Sequence, residues 1–209
     1  MNLNQVRKLI FNKENLTAVS ITSKFGKRTY TYNGKKITDY HYGEDFGTKG
    51  KGYGLYAITD GEVYKVGKDN QSGNWIYIKY SSLGYMSFYC HLSKAPLVKK
   101  GAKVNTNTLV GYTGKTGQAT GVHLHLGFKK IGSNTWLDPE DVPIKFARTT
   151  TDALNMRKTA STSGKKLLTI PKGKQVTEVI RNYKKANGYT WDKVKYNDIT
   201  GYVANKYLK

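Results

Sequence analysis

Three observations predict an all-β fold in two parts: short runs of alternating apolar and polar residues, frequent turns that contain glycine, and a change of pattern near residue 150. The chain has 209 residues, a length that suits one full domain followed by a small one. Its hydrophobic content of 38% is below the globular average but enough for a core. We therefore expect an antiparallel β-sheet domain and then a small β-barrel.

The first part is predicted to contain two hairpins and little helix. The predicted strands are residues 55–58, 62–66, 75–80, 86–92, 109–112 and 122–128. The first two flank a turn at Asp60-Gly61, and the third and fourth flank a turn at Ser81-Ser-Leu-Gly84, so each pair is predicted to form a hairpin. Helical periodicity is confined to residues 3–11.

The second part begins after a segment punctuated by two prolines, residues 138–143, which is typical of the exit from a domain. The polar stretch that follows is predicted to be a linker, residues 146–152. From Ala153 the strand pattern restarts, with about five short strands, the number expected for a small barrel. The resulting division is a domain at 1–145, the linker, and a domain at 153–209.

All four histidines of the chain lie in short motifs with glycine, aspartate or apolar neighbours. The candidate site residues are His41, Asp45, His91, His123 and His125. Imidazole and carboxylate groups together form a ligand set typical of zinc. A catalytic zinc needs three protein ligands and an open position for water, with further groups nearby to transfer protons. Five candidates can supply both sets.

The spacing of these residues favours strands and turns over helix. Gly43 lies between His41 and Asp45, so that segment is predicted to be a turn or a strand edge. Residues two apart on a strand share a face, so His123 and His125 should point the same way, with the intervening leucine in the core.

Cys90 offers a rival chemistry, because a cysteine next to a histidine can form the nucleophile of a thiol hydrolase. Neighbouring side chains of a strand point to opposite faces, so His91 should point away from it. We therefore predict a buried, unreactive Cys90 and favour the metal hypothesis.

Several motifs occur in a fixed order between residues 20 and 140. They are Thr22–Arg28, His41-x-Gly-x-Asp45, Ala57-x-x-Asp60-Gly61-x-Val63, Tyr89-x-His91-Leu-Ser93, Val98-x-x-Gly101-x-x-Val104, Gly111-x-x-Gly114-x-Thr-Gly117, Thr120–His125 and Asp138-Pro139. In this order they resemble the lysostaphin/LytM-type zinc metallopeptidases, which cut peptides of peptidoglycan. The segment at 48–54, Val122 and Cys90 depart from the family pattern.

The resemblance implies a role for each candidate. The ligands of one Zn²⁺ would be His41, Asp45 and His125. The catalytic groups would be His91 and His123. A tyrosine upstream of the first ligand supports the transition state in that family, and Tyr32 is the best-placed counterpart, with Tyr30 nearby.

Residues 153–209 resemble bacterial SH3 (SH3b) domains, which bind the cell wall when they are attached to wall hydrolases. The motifs that carry this resemblance are Leu154–Arg157, Lys172-Gly173-x-x-Val176, Trp191–Tyr196 and Gly201-Tyr-Val203. Candidate contacts are Tyr183, Tyr189, Trp191 and Tyr202, although aromatic residues in so small a barrel equally serve its core.

The formal charge of +21 predicts a polyanionic partner. The sequence contains no helix-turn-helix, zinc-finger or RNP pattern, so nucleic acid is not expected as the partner. The expected partner is instead teichoic acid or another anionic wall polymer. No apolar run approaches the length of about 20 residues that inserts into a membrane. The N-terminus lacks the pattern of a signal peptide, which predicts synthesis in a host cytoplasm and action outside it, on the cell wall.

The sequence thus predicts a zinc-dependent endopeptidase that hydrolyses peptide cross-links of peptidoglycan. Its expected setting is a phage endolysin that lyses a Gram-positive host, with antimicrobial action from outside. The alternatives are a bacterial autolysin of the same chemistry, and a non-catalytic protein that binds the wall or activates an amidase. The bond that is cut, a glycine bridge or a D-alanyl link, and the oligomeric state are left open.

Overall fold

Antiparallel strands dominate the computed structural model, as the sequence predicts. The structure describes residues 3–12, 14, 16–32, 34–142 and 146–209. The chain forms two compact units, one of residues 2–142 and one that begins at residue 143. None of the described helices is long and apolar enough to cross a membrane.

The described residues of the N-terminal unit form one short α-helix and a series of short strands. These elements are α1 (Leu3–Ile10), β1 (Ser20–Ser23), β2 (Gly26–Tyr32), β3 (Lys35–His41), β4 (Glu44–Gly47), β5 (Gly54–Tyr56), β6 (Gly61–Asp69), β7 (Gly73–Tyr80), β8 (Tyr85–Leu92), β9 (Lys103–Val104), β10 (Leu109–Tyr112), β11 (His123–Lys130) and β12 (Trp136–Leu137). A single 3-10 turn, Leu16–Ala18, precedes β1. The helix confirms the periodicity predicted near the N-terminus.

One large antiparallel sheet organises this unit. Its strand order is β1-β4-β11-β8-β7-β6-β9, with β12 paired to β11. Strands β2 and β3 form a separate hairpin, and β5 pairs with β10. Because β11 lies between β4 and β8, its side chains can meet those of both neighbours in the middle of the sheet.

One face of the sheet is the core of the unit. Leu124 and Leu126 on β11 are fully buried, as are Ile76 and Ile78 on β7. The residues between the two leucines and before them point to the other face, so His123 and His125 share a side, as predicted.

The two predicted hairpins have different outcomes. Strands β7 and β8 pair in register around the turn at residues 81–84, which confirms the second hairpin. The hairpin predicted for 55–58 and 62–66 is wrong, because β5 pairs with β10 and β6 pairs with β7 and β9. All four residues of 55–58 are buried. A run buried on both sides lacks the alternation of a hairpin arm that is half exposed to solvent.

The second unit is a six-stranded antiparallel sheet with the order β13-β16-β17-β18-β14-β15. Its elements are β13 (Phe146–Thr149), β14 (Leu154–Arg157), β15 (Lys166–Ile170), β16 (Gln175–Ala186), β17 (Tyr189–Tyr196), β18 (Ile199–Ala204) and a 3-10 turn, Asn205–Tyr207. Its core includes a cluster formed by Leu154, Met156, Ile170, Val176, Val194, Val203 and Leu208.

The structure differs from the polar linker predicted at 146–152. Residues 146–149 form β13, which pairs with β16 as an edge strand of the second sheet. The contacts of Arg148 explain why this polar segment packs against the second sheet. Its Nη1 lies 3.1 Å from Oε2 of the buried Glu178, and its Nη2 donates to the Leu208 carbonyl. A buried carboxylate needs such a partner.

Candidate metal centre and active-site groove

The three predicted ligands come from strands that meet at one point of the sheet. His41 is the last residue of β3, and a two-residue turn separates it from β4. Asp45 on β4 lies directly opposite His125 on β11 in the strand register. Of the turn or strand edge predicted for the His41–Asp45 segment, the structure shows the turn, between β3 and β4.

The ligand atoms of this trio converge. One nitrogen or oxygen from each of His41, Asp45 and His125 lies within 4.8 Å of the other two. The Asp45 Oδ1 atom lies 3.1 Å from His41 Nε2 and 3.0 Å from His125 Nδ1. The two ring nitrogens are 2.9 Å apart. Three ligand atoms thus face a common point, which is the arrangement a metal ion requires.

The hydrogen bond made by His41 Nδ1 determines which ring nitrogen is free to bind a metal ion. His41 Nδ1 lies 2.9 Å from the carbonyl oxygen of Lys24. Because a carbonyl only accepts, Nδ1 carries the proton and donates, and the lone pair is left on Nε2. Such a hydrogen bond orients a metal-binding imidazole and raises its basicity.

Arg28 holds the carboxylate of Asp45 from behind. Its Nη1 lies 3.4 Å from Asp45 Oδ2 and donates to Ser23 Oγ at 3.0 Å. The rest of the guanidinium pairs with Asp39, with Nε 2.9 Å from Oδ1. One oxygen of Asp45 is thereby engaged while the other faces the histidines. The sequence pattern contained Arg28 within a motif but gave it no role, because only the folded β2–β3 hairpin brings it to β4.

Electrostatics favour the protonation states of Asp45 and His125 that bind a metal. Burial disfavours ionisation of Asp45, but the adjacent imidazoles of His125 and His41 outweigh this and hold the pKa of Asp45 well below its usual range. Burial lowers the pKa of His125, and the opposing interaction with Asp45 does not fully offset this. A carboxylate and neutral imidazoles are the forms that coordinate a cation.

The donor set fits zinc. Two imidazole nitrogens and one carboxylate oxygen are the protein ligands of several catalytic zinc sites, which leave a position open for water. The trio lines a groove of about 890 Å³ that both catalytic candidates also line, so a fourth position is accessible from the groove.

His91 and His123 lie together beside the trio. Their ring centroids are 4.6 Å apart, and His123 Nε2 lies 3.8 Å from Asp45 Oδ1. His91 Nδ1 donates to the carbonyl of Thr116 at 2.8 Å, and His123 Nδ1 donates to that of Gly121 at 2.9 Å. The neutral form of each ring therefore has its lone pair on Nε2. Burial lowers the pKa of His91 to about 4.

Cys90 and His91 do not point to opposite faces, and that prediction is wrong. His91 has a φ of 60°, and the β7–β8 register shifts between Asn74 and Ile76. This left-handed residue interrupts the alternation, so both Cys90 and His91 line the groove. Cys90 is nonetheless buried, and burial raises its pKa well above the usual value. The predicted unreactive thiol thus agrees with its environment.

The side chain of Tyr32, the tyrosine predicted to support the transition state, lies outside the part of the chain that the structure describes. Tyr32 ends β2 opposite Lys35. Tyr30 does line the groove, and its hydroxyl donates to Asp39 Oδ2 at 3.3 Å.

In the second unit, the aromatic candidates divide into core and surface. Trp191 is 2% exposed and its Nε1 donates to the Ala186 carbonyl, so it belongs to the core. Tyr183 is exposed and packs against Tyr202 with ring centroids 4.8 Å apart. Tyr189 lines a small cleft of about 200 Å³ together with Trp191.

The sheet and its converging ligand trio together define a metallopeptidase domain. Residues 39–139 match the model of Peptidase family M23, and residues 152–209 match the Bacterial SH3 domain model. The chain therefore carries an M23 peptidase domain of the LytM type followed by a bacterial SH3 domain, which confirms both resemblances.

Named relatives share the first of these domains. Peptidoglycan DD-endopeptidase ShyB of Vibrio cholerae is 38% identical over 127 residues, which cover 59% of this chain and 28% of that protein. Glycyl-glycine endopeptidase ALE-1 of Staphylococcus capitis is 35% identical over 102 residues, 47% of this chain and 28% of that protein. The chain thus spans little more than a quarter of the length of these relatives.

A solved structure is similar in fold as well. The catalytic domain of the antimicrobial peptidase lysostaphin from Staphylococcus simulans aligns with a TM-score of 0.52 and 30% identity. The alignment covers 59% of this chain and 91% of that domain.

Proposed function

We propose that this chain is a zinc-dependent endopeptidase that hydrolyses peptide cross-links of bacterial peptidoglycan. The observation that carries the proposal is the convergence of His41, Asp45 and His125 on one point, with His91 and His123 beside it in an open groove. The M23 match and the peptidoglycan endopeptidases among the relatives support the reaction class.

The ligand trio would hold the zinc ion. Bound there, zinc supplies a Lewis acid that polarises the scissile carbonyl and lowers the pKa of a water molecule. Two neutral imidazoles and one carboxylate leave a net positive charge at the site, and Arg28 keeps the carboxylate in place behind it.

The histidine pair would move the proton. Hydrolysis breaks the amide bond, joins the water oxygen to the carbonyl carbon, and transfers one proton from the water to the leaving amine. In the neutral form, each of the two rings presents a lone pair on Nε2, because its Nδ1 donates to a backbone carbonyl. Either ring can accept the proton and, once protonated, can pass it to the amine or donate to the developing oxyanion.

The test is digestion of purified cell walls. The zinc-loaded protein should release new amino termini, and a chelator should stop the reaction while alkylation of Cys90 should not. Wall binding without new amino termini would instead support a non-catalytic protein that binds the wall or activates an amidase. Inhibition by alkylation alone would support a thiol hydrolase.

The same digestion identifies the bond. The relatives include a DD-endopeptidase and a glycyl-glycine endopeptidase. Walls with direct D-alanyl links and walls with glycine bridges should therefore be digested side by side. Mass spectrometry of the fragments then shows which amide is cut.

We also propose that the protein acts on the wall as an endolysin, held there by its SH3 domain and by its charge. The SH3 match and the formal charge of +21 support binding to peptidoglycan and to anionic polymers such as teichoic acid. Purified protein added from outside should clear a suspension of Gram-positive cells. Clearing should weaken with added salt and on walls stripped of teichoic acid. If clearing is as strong in added salt and on walls stripped of teichoic acid, the proposed contribution of charge is contradicted.

A further inference from the structure

A series of aromatic rings continues from the groove across the sheet, and no step of the proposed hydrolysis uses it. We call it the aromatic row: Trp75, Tyr77, Phe88, Trp136 and Tyr42. Successive ring centroids are 5.7, 4.1, 5.9 and 5.9 Å apart in that order. Tyr42 is 49% exposed and the other four are half-buried. The row is therefore ordered by mutual packing and accessible to solvent.

The aromatic row lies on the same face of the sheet as the metal ligands. Phe88 pairs with Gly127 on β11, two residues from His125, and its ring lies 6.4 Å from the His125 ring. Tyr77 is the register partner of Phe88 on the next strand. Phe88, Trp136 and Tyr42 line the groove itself. The row thus extends the groove outward from the site of cleavage.

Two glycines seat the two indole rings against the sheet. A Cβ atom added at Gly67 would lie 2.4 Å from Trp75 Cζ2, and one added at Gly127 would lie 2.6 Å from Trp136 Cζ3. Each indole therefore packs directly against the backbone of a glycine, where a side chain would clash with the ring. The stacked pair of Tyr77 and Phe88, with ring planes 13° apart, separates the two.

Polar groups surround these rings. The Trp75 Nε1 donates to Asp69 Oδ2 at 2.6 Å, which fixes the ring. The Lys65 ammonium lies 5.6 Å from the Trp75 ring centroid, and that of Lys129 lies 5.7 Å from the Trp136 ring centroid. Fixed aromatic surfaces bordered by hydrogen-bonding groups suit a ligand with apolar faces and polar edges.

We propose that the aromatic row binds N-acetylated hexose rings of the peptidoglycan glycan chain while the peptide cross-link lies in the groove. An N-acetylated hexose ring has C–H groups on its faces and hydroxyl or amide groups at its edges. The proposal rests on the proposed function, because the glycan is covalently attached to the peptide to be cut. A surface continuous with the groove is where that glycan would meet the enzyme.

Binding can be tested on the full, zinc-loaded chain with a soluble β-1,4-linked tetramer of N-acetylglucosamine. The protein has three tryptophans, so three indole N–H signals report by NMR. We expect the signals of Trp75 and Trp136 to shift and that of the buried Trp191 to stay. Trp75→Ala should weaken binding about fivefold and Trp75→Phe less. Tyr64→Ala, an exposed tyrosine outside the aromatic row, is the matched control and should bind as the wild type does.

Three results would overturn the proposal. They are the absence of any shift, a shift confined to Trp191, and tighter binding of a single-stranded oligonucleotide at the same two signals, since bases also stack on aromatic rings. Thermal unfolding of Trp75→Ala checks that the variant is folded. If Trp75→Ala does not fold, the test is made with Trp75→Phe, which keeps an aromatic ring.

Hydrolysis separates this proposal from the proposed function. The rate on intact walls relative to that on a glycan-free cross-linked peptide should fall about fivefold in Trp75→Ala. An unchanged ratio, with both substrates still cut, would refute glycan binding and leave the endopeptidase intact. Failure of the wild type to cut either substrate would refute the proposed function itself.

Discussion

The ligand trio and the histidine pair share strand β11 yet are supported differently. His125 and His123 are two residues apart on β11. His125 points its Nδ1 at Asp45 Oδ1, 3.0 Å away, whereas His123 donates its Nδ1 to the nearby Gly121 carbonyl and leaves Nε2 free. Within the trio, Arg28 contacts Asp45 and the Lys24 carbonyl accepts from His41, whereas both rings of the pair donate only to backbone carbonyls.

This difference matches what each region has to do. Ligands must remain in place, and side-chain contacts from Arg28 and Ser23 support them from behind. Proton-transfer groups must change protonation state during each turnover, and a backbone carbonyl fixes their tautomer without contributing a charge. The comparison predicts that damage to the two regions has different consequences.

The largest effect is expected at the pair. His91→Ala should lower kcat by at least about 100-fold, because the ring that transfers the proton is removed. Zinc content, measured on the same sample, should equal that of the wild type, since His91 is not among the ligand atoms. A variant that loses zinc in parallel with activity would show that the two regions are not separate.

The pH dependence of activity should show the same separation. Burial lowers the pKa of His91 to about 4, so the ring is neutral above that value and takes up a proton as the pH falls through it. With zinc held saturating, kcat should therefore decline towards pH 4, about tenfold per unit once His91 is protonated. Rates and bound zinc should be recorded together. A decline that follows zinc release alone would assign the pH dependence to the trio.

Arg28→Lys tests how the trio is held. Lysine keeps the charge but loses the forked pairing with Asp39 and Asp45. Zinc affinity should fall about tenfold, as is typical when the partner of a ligand is altered. Competition with a chromophoric chelator measures this, and kcat at saturating zinc should change less. The conservative Arg157→Lys in the second unit serves as the control and should leave the affinity unchanged.

The smallest effect is expected at Cys90. Cys90 lines the groove, but burial raises the pKa of its thiol and disfavours the thiolate. Cys90→Ala should keep activity on cell walls within about twofold of the wild type, because no proton or ligand is removed. A loss comparable to that of His91→Ala would revive the thiol mechanism.

Much of this molecule could be predicted from residue patterns. Alternation gave the β7–β8 hairpin and the shared face of His123 and His125, because one side of those strands is core and the other is groove. The ordered motifs placed five residues in one site before any strand pairing was known. The structure brings all five together.

What the patterns missed depends on contacts distant in the chain. Arg28 reaches Asp45 only through the β2–β3 hairpin, and its spacing carries no sign of that. The left-handed φ of His91 breaks an alternation that the sequence alone presents as regular. Residues 146–149 look like a linker because their partner strand, β16, lies about 30 residues later. In each case tertiary contacts outweigh local preference.

The separation of ligands from proton-transfer groups is tested most directly by elemental analysis of the purified full-length chain. The account predicts one zinc per wild-type chain, none in His125→Ala, and one in a His123→Ala variant that no longer cuts cell walls. Equal zinc in the two variants, whether both retain it or both lose it, would contradict the assignment of these two histidines.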